Sequence, residues 1–273
     1  MLRVGNQELS GVASKVKYTS LWNGGAGTLE FEYPAAMAGT FPEGETVVCT
    51  YCGSPVFYGF LFQTEVDATT RRCVCYDQMR YFKAQGSLVR EIETLSQFTE
   101  RCAARVYERI RLGNIEETER KLGKYRFEGK SYYDMILQSI DDNEKLNGYH
   151  YTIRDNFGAI DLTDTMNLRL PLVIGDGSLA TSFRFSRSIA EDVYNSVRLT
   201  QDSGRDVVVE DAENIRKWGR LVLCQKESGK NEVQMRHLAK SLLDAKNRVA
   251  RSLQIEAVGD IRVMGGNSVK VII

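Results

Sequence analysis

The stretch closest to a nucleotide chemistry is Gly123-Lys124-Tyr125-Arg126-Phe127-Glu128-Gly129-Lys130-Ser131. A phosphate loop needs four residues between its glycines, so that successive backbone amides converge on the phosphates. Five stand here, and Tyr125, Arg126 and Phe127 among them are bulky. The run reads better as a short strand leading into a helix cap. A small nucleotide-dependent enzyme using Gly129-Lys130-Ser131 is the alternative it leaves open.

Thiols supply a second candidate chemistry. Cys49 and Cys52 have the spacing of one zinc knuckle, and Cys73 and Cys75 would supply the other two ligands of a tetrahedral site. The second pair has one spacer residue instead of two. In a strand, Cys73 and Cys75 point to the same face, as core residues do. Packing is therefore the expected role, with a zinc-binding module as the alternative.

The remaining candidates are weaker. The two histidines, His150 and His237, stand at no motif spacing from a nucleophile, and no G-x-S-x-G elbow is present. Asp141 and Asp142 are adjacent on an expected helix, where neighbours point about 100° apart, so they read as a solvated helix end. Gly24-Gly25-Ala26-Gly27 reads as a turn that needs positive φ. No catalytic, cofactor-binding or metal-ligating residue is assigned.

Composition narrows the classes further. In 273 residues, 36 Lys+Arg balance 36 Asp+Glu, so no overall cationic field draws the chain to nucleic acid. With 42% hydrophobic and 26% charged residues, the chain has globular composition. No run of about 18 apolar residues suggests a membrane helix, and the N-terminus lacks the apolar core of a secretory signal. Six cysteines in this length suggest free thiols in a reducing cytoplasm rather than a disulfide scaffold.

The elements that position these residues divide the chain into three expected domains. Residues 1–88 are β-rich. Leu29, Phe31 and Tyr33 alternate with Glu30 and Glu32, and further strand-like runs are ETVVCTY, VFYGFLFQTEVD and RRCVCYDQM. Their spacing predicts a small barrel or sandwich. Residues 89–165 predict an α+β domain. Leu95, Phe98, Cys102, Val106 and Ile110 form a helical stripe, started by a capping box at Thr94 and Gln97. A second helix spans Ser131 to Leu146, with Tyr133, Ile136, Leu137 and Ile140 inward and Asn147-Gly148 ending it. A hairpin follows, turning at Asn156-Phe157-Gly158. Residues 166–273 predict a second β-barrel-like domain from SFRFSR, SVRLTQ, DVVVED, GRLVLCQK, SLQIEAVG and SVKVII. A long amphipathic helix over 231–251 interrupts it, with Met235, Leu238, Leu242, Ala245 and Val249 facing the core. The expected fold is mainly β with an α+β insertion: two small β-barrels flanking an α+β domain.

The C-terminal third carries a resemblance. Its marks are Glu191-Asp192-Val193-Tyr194-Asn195-Ser196-Val197-Arg198-Leu199, then Asn214, Ile215, Lys217, Trp218 and Gly219 in an N-I-x-K-W-G stretch. An A-x-G-D-x-R-V-x-G-G run follows, with Gly259, Asp260, Arg262, Gly265 and Gly266. In the first third, Val74-Cys75-Tyr76-Asp77-Gln78-Met79-Arg80-Tyr81-Phe82-Lys83 belongs to the same pattern. Together these resemble the XkdQ/YqbQ family of contractile phage tails, related to late-control D proteins and the N-terminal part of VgrG spikes.

The resemblance implies a non-enzymatic baseplate hub: a virion component and homotrimer whose two barrels per subunit make a pseudo-sixfold ring. That ring joins a hexameric tail tube to a trimeric central spike. A LysM-type tail adaptor and the tape measure protein are further implied partners, without cofactor, nucleic acid or membrane. It also implies assembly in a bacterial cytoplasm and residence in the mature baseplate. Trp218 is expected to anchor a core or domain interface, and Gly265 and Gly266 to make an unusual turn. A further β-segment is expected after the S-V-x-V run, although the sequence given ends at Ile273.

Overall fold

The alternation of Thr28–Pro34 becomes a strand with Leu29, Phe31 and Tyr33 buried and Glu30 and Glu32 half-exposed. The structure is a computed structural model and describes residues 1–37, 41–175, 179–201, 204–229 and 231–272. By contacts the chain divides into two compact units. The first holds Met1–Val173 and Gly259–Val271, and the second holds Ile174–Val258 with Ile272.

The first unit begins with seven strands: β1 (Leu2–Val4), β2 (Gln7–Glu8), β3 (Ser14–Thr19), β4 (Thr28–Pro34), β5 (Thr46–Tyr51), β6 (Ser54–Val66) and β7 (Thr70–Tyr76). They form one antiparallel sheet in the order β2-β1-β5-β6-β7-β4-β3. Residues directly opposite in such a ladder share a face. Leu29 faces Cys75 and Phe31 faces Cys73, so the strand pattern carries both thiols into the core. Leu2, Val4, Val47, Phe57 and Leu61 complete that core. The ladder leaves β2 and β3 as edges, so the sheet is a curled half-barrel.

A second core in the same unit gathers around two helices. Strand β8 (Gln85–Arg90) pairs with β12 (Tyr125–Ser131), and β9 (Glu93–Thr94) with β11 (Lys121–Leu122). Strand β10 (Leu112–Ile115) runs parallel to β14 (Ile160–Asp164), which pairs antiparallel with β13 (Tyr151–Asp155). Helix α1 (Leu95–Ala103) starts with the expected capping box at Thr94 and Gln97. It stops seven residues short of Ile110, and Val106 and Ile110 pack on the core from beyond it. Helix α2 (Tyr132–Asn147) is capped by Ser131, and Gly148 ends it at φ 76°, a left-handed angle that favours glycine. Buried Arg90 ties the two parts together. Its guanidinium donates to Ser139 Oγ at 2.8 Å and to Asp142 Oδ2 at 2.7 Å on α2.

The second unit has two small sheets. Strands β16 (Ala180–Ser188) and β20 (Ala250–Ala257) form an antiparallel ribbon. Strand β17 (Ser196–Gln201) lies between β18 (Asp206–Glu210), antiparallel, and β19 (Val222–Glu227), parallel. Helix α3 (Ala212–Trp218) spans the connection to β19. Helix α4 (Glu232–Lys246) packs Met235, Ala239 and Leu243 against Val197, Leu199 and Val207. Strand β15 (Arg169–Gly175) pairs with β21 (Ser268–Ile272).

Three expectations are amended. Residues 166–273 are not one module, because Gly259–Val271 packs with the first unit. Between them, the described strands of 174–258 make separate two- and three-stranded sheets. Helix α4 stops at Lys246, since Asn247 caps it and a strand starts at Ala250. Val249 thus lies outside the helix and Ala245 is exposed, while Leu238 and Leu242 pack at the edge of the buried stripe.

Phe98 is fully buried and stacks on Phe127 at 5.6 Å between ring centroids. Phe98→Ala is expected to destabilise the first unit by about 3–5 kcal/mol in denaturant unfolding. Val233→Ala, at a position 78% exposed, should stay within about 0.5 kcal/mol of the parent.

Candidate functional site

The resemblance-bearing residues fall into two clusters, one in each unit. In the first unit, the turn at Met264–Asn267 meets the loop after β3 and the strand β13. Gly265 N donates to Ser20 Oγ at 3.0 Å. A Cβ on Gly265 would lie 2.4 Å from the Leu21 carbonyl carbon and 2.6 Å from Trp22 N, so no side chain fits there. Gly266 has φ 90° and lies against Thr152. Asn23 Oδ1 accepts from Thr152 Oγ1 at 3.0 Å, and Asn23 Nδ2 donates to Tyr151 O at 3.3 Å. Asn267 Oδ1 accepts from Met264 N at 2.8 Å, while its Nδ2 donates to Leu168 O at 3.0 Å.

Upstream of this clamp, Asp260 and Arg262 form a self-contained turn. Arg262 donates to Asp260 through its backbone N and its guanidinium, and these bonds hold the Asp260 carboxyl down at about 2. Gly259 has open space around its Cα, and nothing in the structure explains why a glycine stands there.

In the second unit, the N-I-x-K-W-G stretch is α3 with its caps. Asp211 accepts from the amides of Glu213 and Asn214, and Gly219 ends the helix. Asn214 Nδ2 donates to Asn247 Oδ1 at 2.9 Å, and Asn247 Nδ2 donates to Asp211 Oδ2 at 2.7 Å. These bonds tie the end of α4 to the start of α3 and hold Asp211 below the usual carboxylate range. Lys217 pairs with Glu213 one turn back. Trp218 and Ile215 are half-buried rather than enclosed, so the expected core anchor is a partial one. Asn195, fully buried, serves that role. Its Nδ2 donates to Gly219 O at 2.7 Å and its Oδ1 accepts from Leu221 N at 2.8 Å. Sequence reasoning placed Asn195 in the family pattern without a role. A lone asparagine before a strand carries no sign that both ends of its amide will be used.

The ribbon of β16 and β20 is exposed along nearly its whole length. Phe183 faces Ile255 and Phe185 faces Leu253, so these four share one face. Phe183 and Phe185 are each 53% exposed and Leu253 41%. On the same face Arg187 stands directly opposite Arg251, an unfavourable like-charge pair.

The candidate chemistries are not assembled. Cys73 and Cys75 lie inside the core, Cys49 is half-buried, and Cys52 is exposed in the turn between β5 and β6. Strand β6 separates β5, which carries Cys49, from β7, which carries Cys73 and Cys75. Lys130 Nζ donates to Gln138, and Ser131 Oγ accepts from Asp134 N as the cap of α2. The run from Tyr125 is strand β12, as its bulky residues require. Asp141 pairs with Lys145 and Asp142 with Arg90, on diverging sides of α2. His150 Nδ1 lies 3.1 Å from Glu144, and His237 is exposed on α4.

A buried acid pair escaped the sequence reading. Asp77, in the V-C-Y-D-Q-M stretch, accepts from Gly27 N at 2.7 Å and Met79 N at 2.9 Å. Asp155 accepts from Gln78 Nε2 and Gly158 N, both at 3.0 Å. Burial, with the charge of Asp155 nearby, pushes the Asp77 carboxyl well up. Burial also pushes Asp155 up to about 7, against the pull of its two hydrogen bonds. A strand aspartate and a cap aspartate 78 residues apart give no sequence signal of meeting.

Comparison with known proteins defines the class. The fold is shared with a prophage MuSo2 43 kDa tail protein from Shewanella oneidensis. That match has a TM-score of 0.71 at 13% identity, over 99% of this chain and 88% of that one. A tail protein from Neisseria meningitidis MC58 matches with a TM-score of 0.71 at 13% identity, over 99% and 85%. The prophage tail protein gp18 from Listeria monocytogenes EGD-e gives 0.54 at 12%, over 90% and 74%. No curated protein matches the sequence. The sequence profile of the YQBQ-like family matches residues 16–273, and the chain belongs to that family.

Two tests probe these clusters. Gly265→Val forces a backbone shift at Leu21 and is expected to destabilise by about 1–3 kcal/mol or more in thermal unfolding, whereas Gly259→Ala stays near the parent. A carboxyl with a raised native pKa binds its proton more tightly folded than unfolded. Its contribution is therefore complete below about pH 4 and is lost as pH rises through about 7. Asp155→Asn should flatten the fall in stability across that window, and an unchanged slope in pH-dependent denaturation would refute the assignment.

Proposed function

We propose that the chain is a structural hub of a contractile tail baseplate, in a phage or a phage-derived particle, and that it carries out no covalent chemistry. The observation that carries this reading is membership of the YQBQ-like family over residues 16–273, on a fold shared with tail proteins along nearly the whole chain. The functional form is a homotrimer. Closed symmetry fixes which surfaces repeat, so three chains offer six similar surfaces only if each chain supplies two. The presence of β-rich structure in both units, the seven-stranded sheet in the first and the smaller sheets in the second, supports this reading.

In this reading the ring sits between a hexameric tube protein and a trimeric spike, and the tail adaptor and tape measure proteins are neighbours. Assembly takes place in the bacterial cytoplasm, and the chain then stays in the mature baseplate. The clamp and the α3 network act by holding shape. Mixing the full chain with its cognate tube and spike proteins should give rings visible by negative-stain microscopy. A chain that forms no ring with either partner, at any concentration tested, would overturn the reading.

A further inference from the structure

The ribbon of β16 and β20 makes a demand that the described residues do not meet. A two-stranded ribbon is marginal in water unless something covers it. Here nearly every residue of both strands is exposed. Each strand keeps one unpaired edge among the described residues, because the sheet contains β16 and β20 alone. Four apolar side chains, Phe183, Phe185, Leu253 and Ile255, share a face with nothing packed over them in the ribbon itself. An open, apolar edge of this length recruits a strand.

We propose that the occupant is a second copy of this chain, with the outer edge of β16 pairing with the outer edge of β20 of the next copy. This deepens the trimer reading and rests on it. The two edges are already compatible, since the same two strands pair antiparallel within the chain over eight residue pairs. A contact between unlike edges is head-to-tail and closes into a ring when the rotation allows. Three ribbons then make a six-stranded barrel with no free edge.

Charge sets the register. Repeating the register found within the chain would stack Arg187 on Arg251 again. A closed sheet also needs a stagger between strands. An offset of two residues meets both conditions and keeps the faces matched. It places Arg184 directly opposite Glu256 of the second copy, Phe185 opposite Ile255 of the second copy, and Arg187 opposite Leu253 of the second copy. Among the described residues Arg184 has no carboxylate partner and Glu256 no cationic one, while Glu256 Oε2 accepts from Ser182 Oγ at 2.8 Å.

Sedimentation of the full chain across a concentration series tests this. The parent should reach a trimer mass. Arg184→Glu should require about tenfold more protein to do so, and Arg184→Glu with Glu256→Arg should restore the parent curve. Phe185→Lys should abolish the trimer while circular dichroism stays unchanged. Hydrogen exchange of the parent adds a readout that needs no variant: amides of 180–188 and 250–257 should gain protection as concentration rises. A trimer indifferent to these substitutions, with no such protection, overturns the ribbon contact and leaves the hub reading standing. A parent that stays monomeric throughout but still forms rings with tube and spike proteins overturns the ribbon contact alone. A monomer that forms no rings overturns both.

Discussion

The first unit depends on a place where backbone meets backbone. At Gly265 the chain passes so close to Leu21 and Trp22 that a single added carbon would collide with main-chain atoms. The bond from Gly265 N to Ser20 Oγ joins residues 245 positions apart. Around it, Asn23 and Asn267 use both ends of their amides to hold β13, the turn at Met264 and the residue just before β15. Close-packed interiors transmit strain because nothing nearby can yield, so this joint fixes where β21 lies beside β15.

The two units are stabilised differently. The first has two apolar clusters with large aromatic side chains at full burial, and its charged Arg90 is satisfied by three acceptors. The second has a small core under α4 and relies on polar networks around Asn195, Asp211 and Asn247. Buried polar groups that are fully paired specify one arrangement, at some cost in net stability.

Much of the fold was legible. Period-2 runs became β3–β7 and β16–β21, and Thr94, Ser131 and Gly148 cap the helices as their types suggest. The errors share a cause. The heptad-like spacing of Met235, Leu238, Leu242, Ala245 and Val249 extends past Asn247, where the polar cap overrides it. Two-residue strands such as β2 are too short to show a period. The hairpin β1–β2 and the return of 259–271 to the first unit are settled by tertiary contact, which periodicity does not encode. For the same reason the motif glycines could be picked out while the surfaces they press against could not. Asp77 lay inside a quoted stretch, but Asp155, the last residue of β13, gives no local sign that the two carboxyls meet.

The clamp also has a consequence in time. Ser20 and Asn23 leave the ribosome long before Met264–Asn267, so the first unit is synthesised with its last piece missing. Until that piece arrives, the backbone around Leu21 and Trp22 has no mate, and long-range closure of this kind is slow. A nascent chain interrupted before residue 259 therefore lacks the backbone that packs against Leu21 and Trp22.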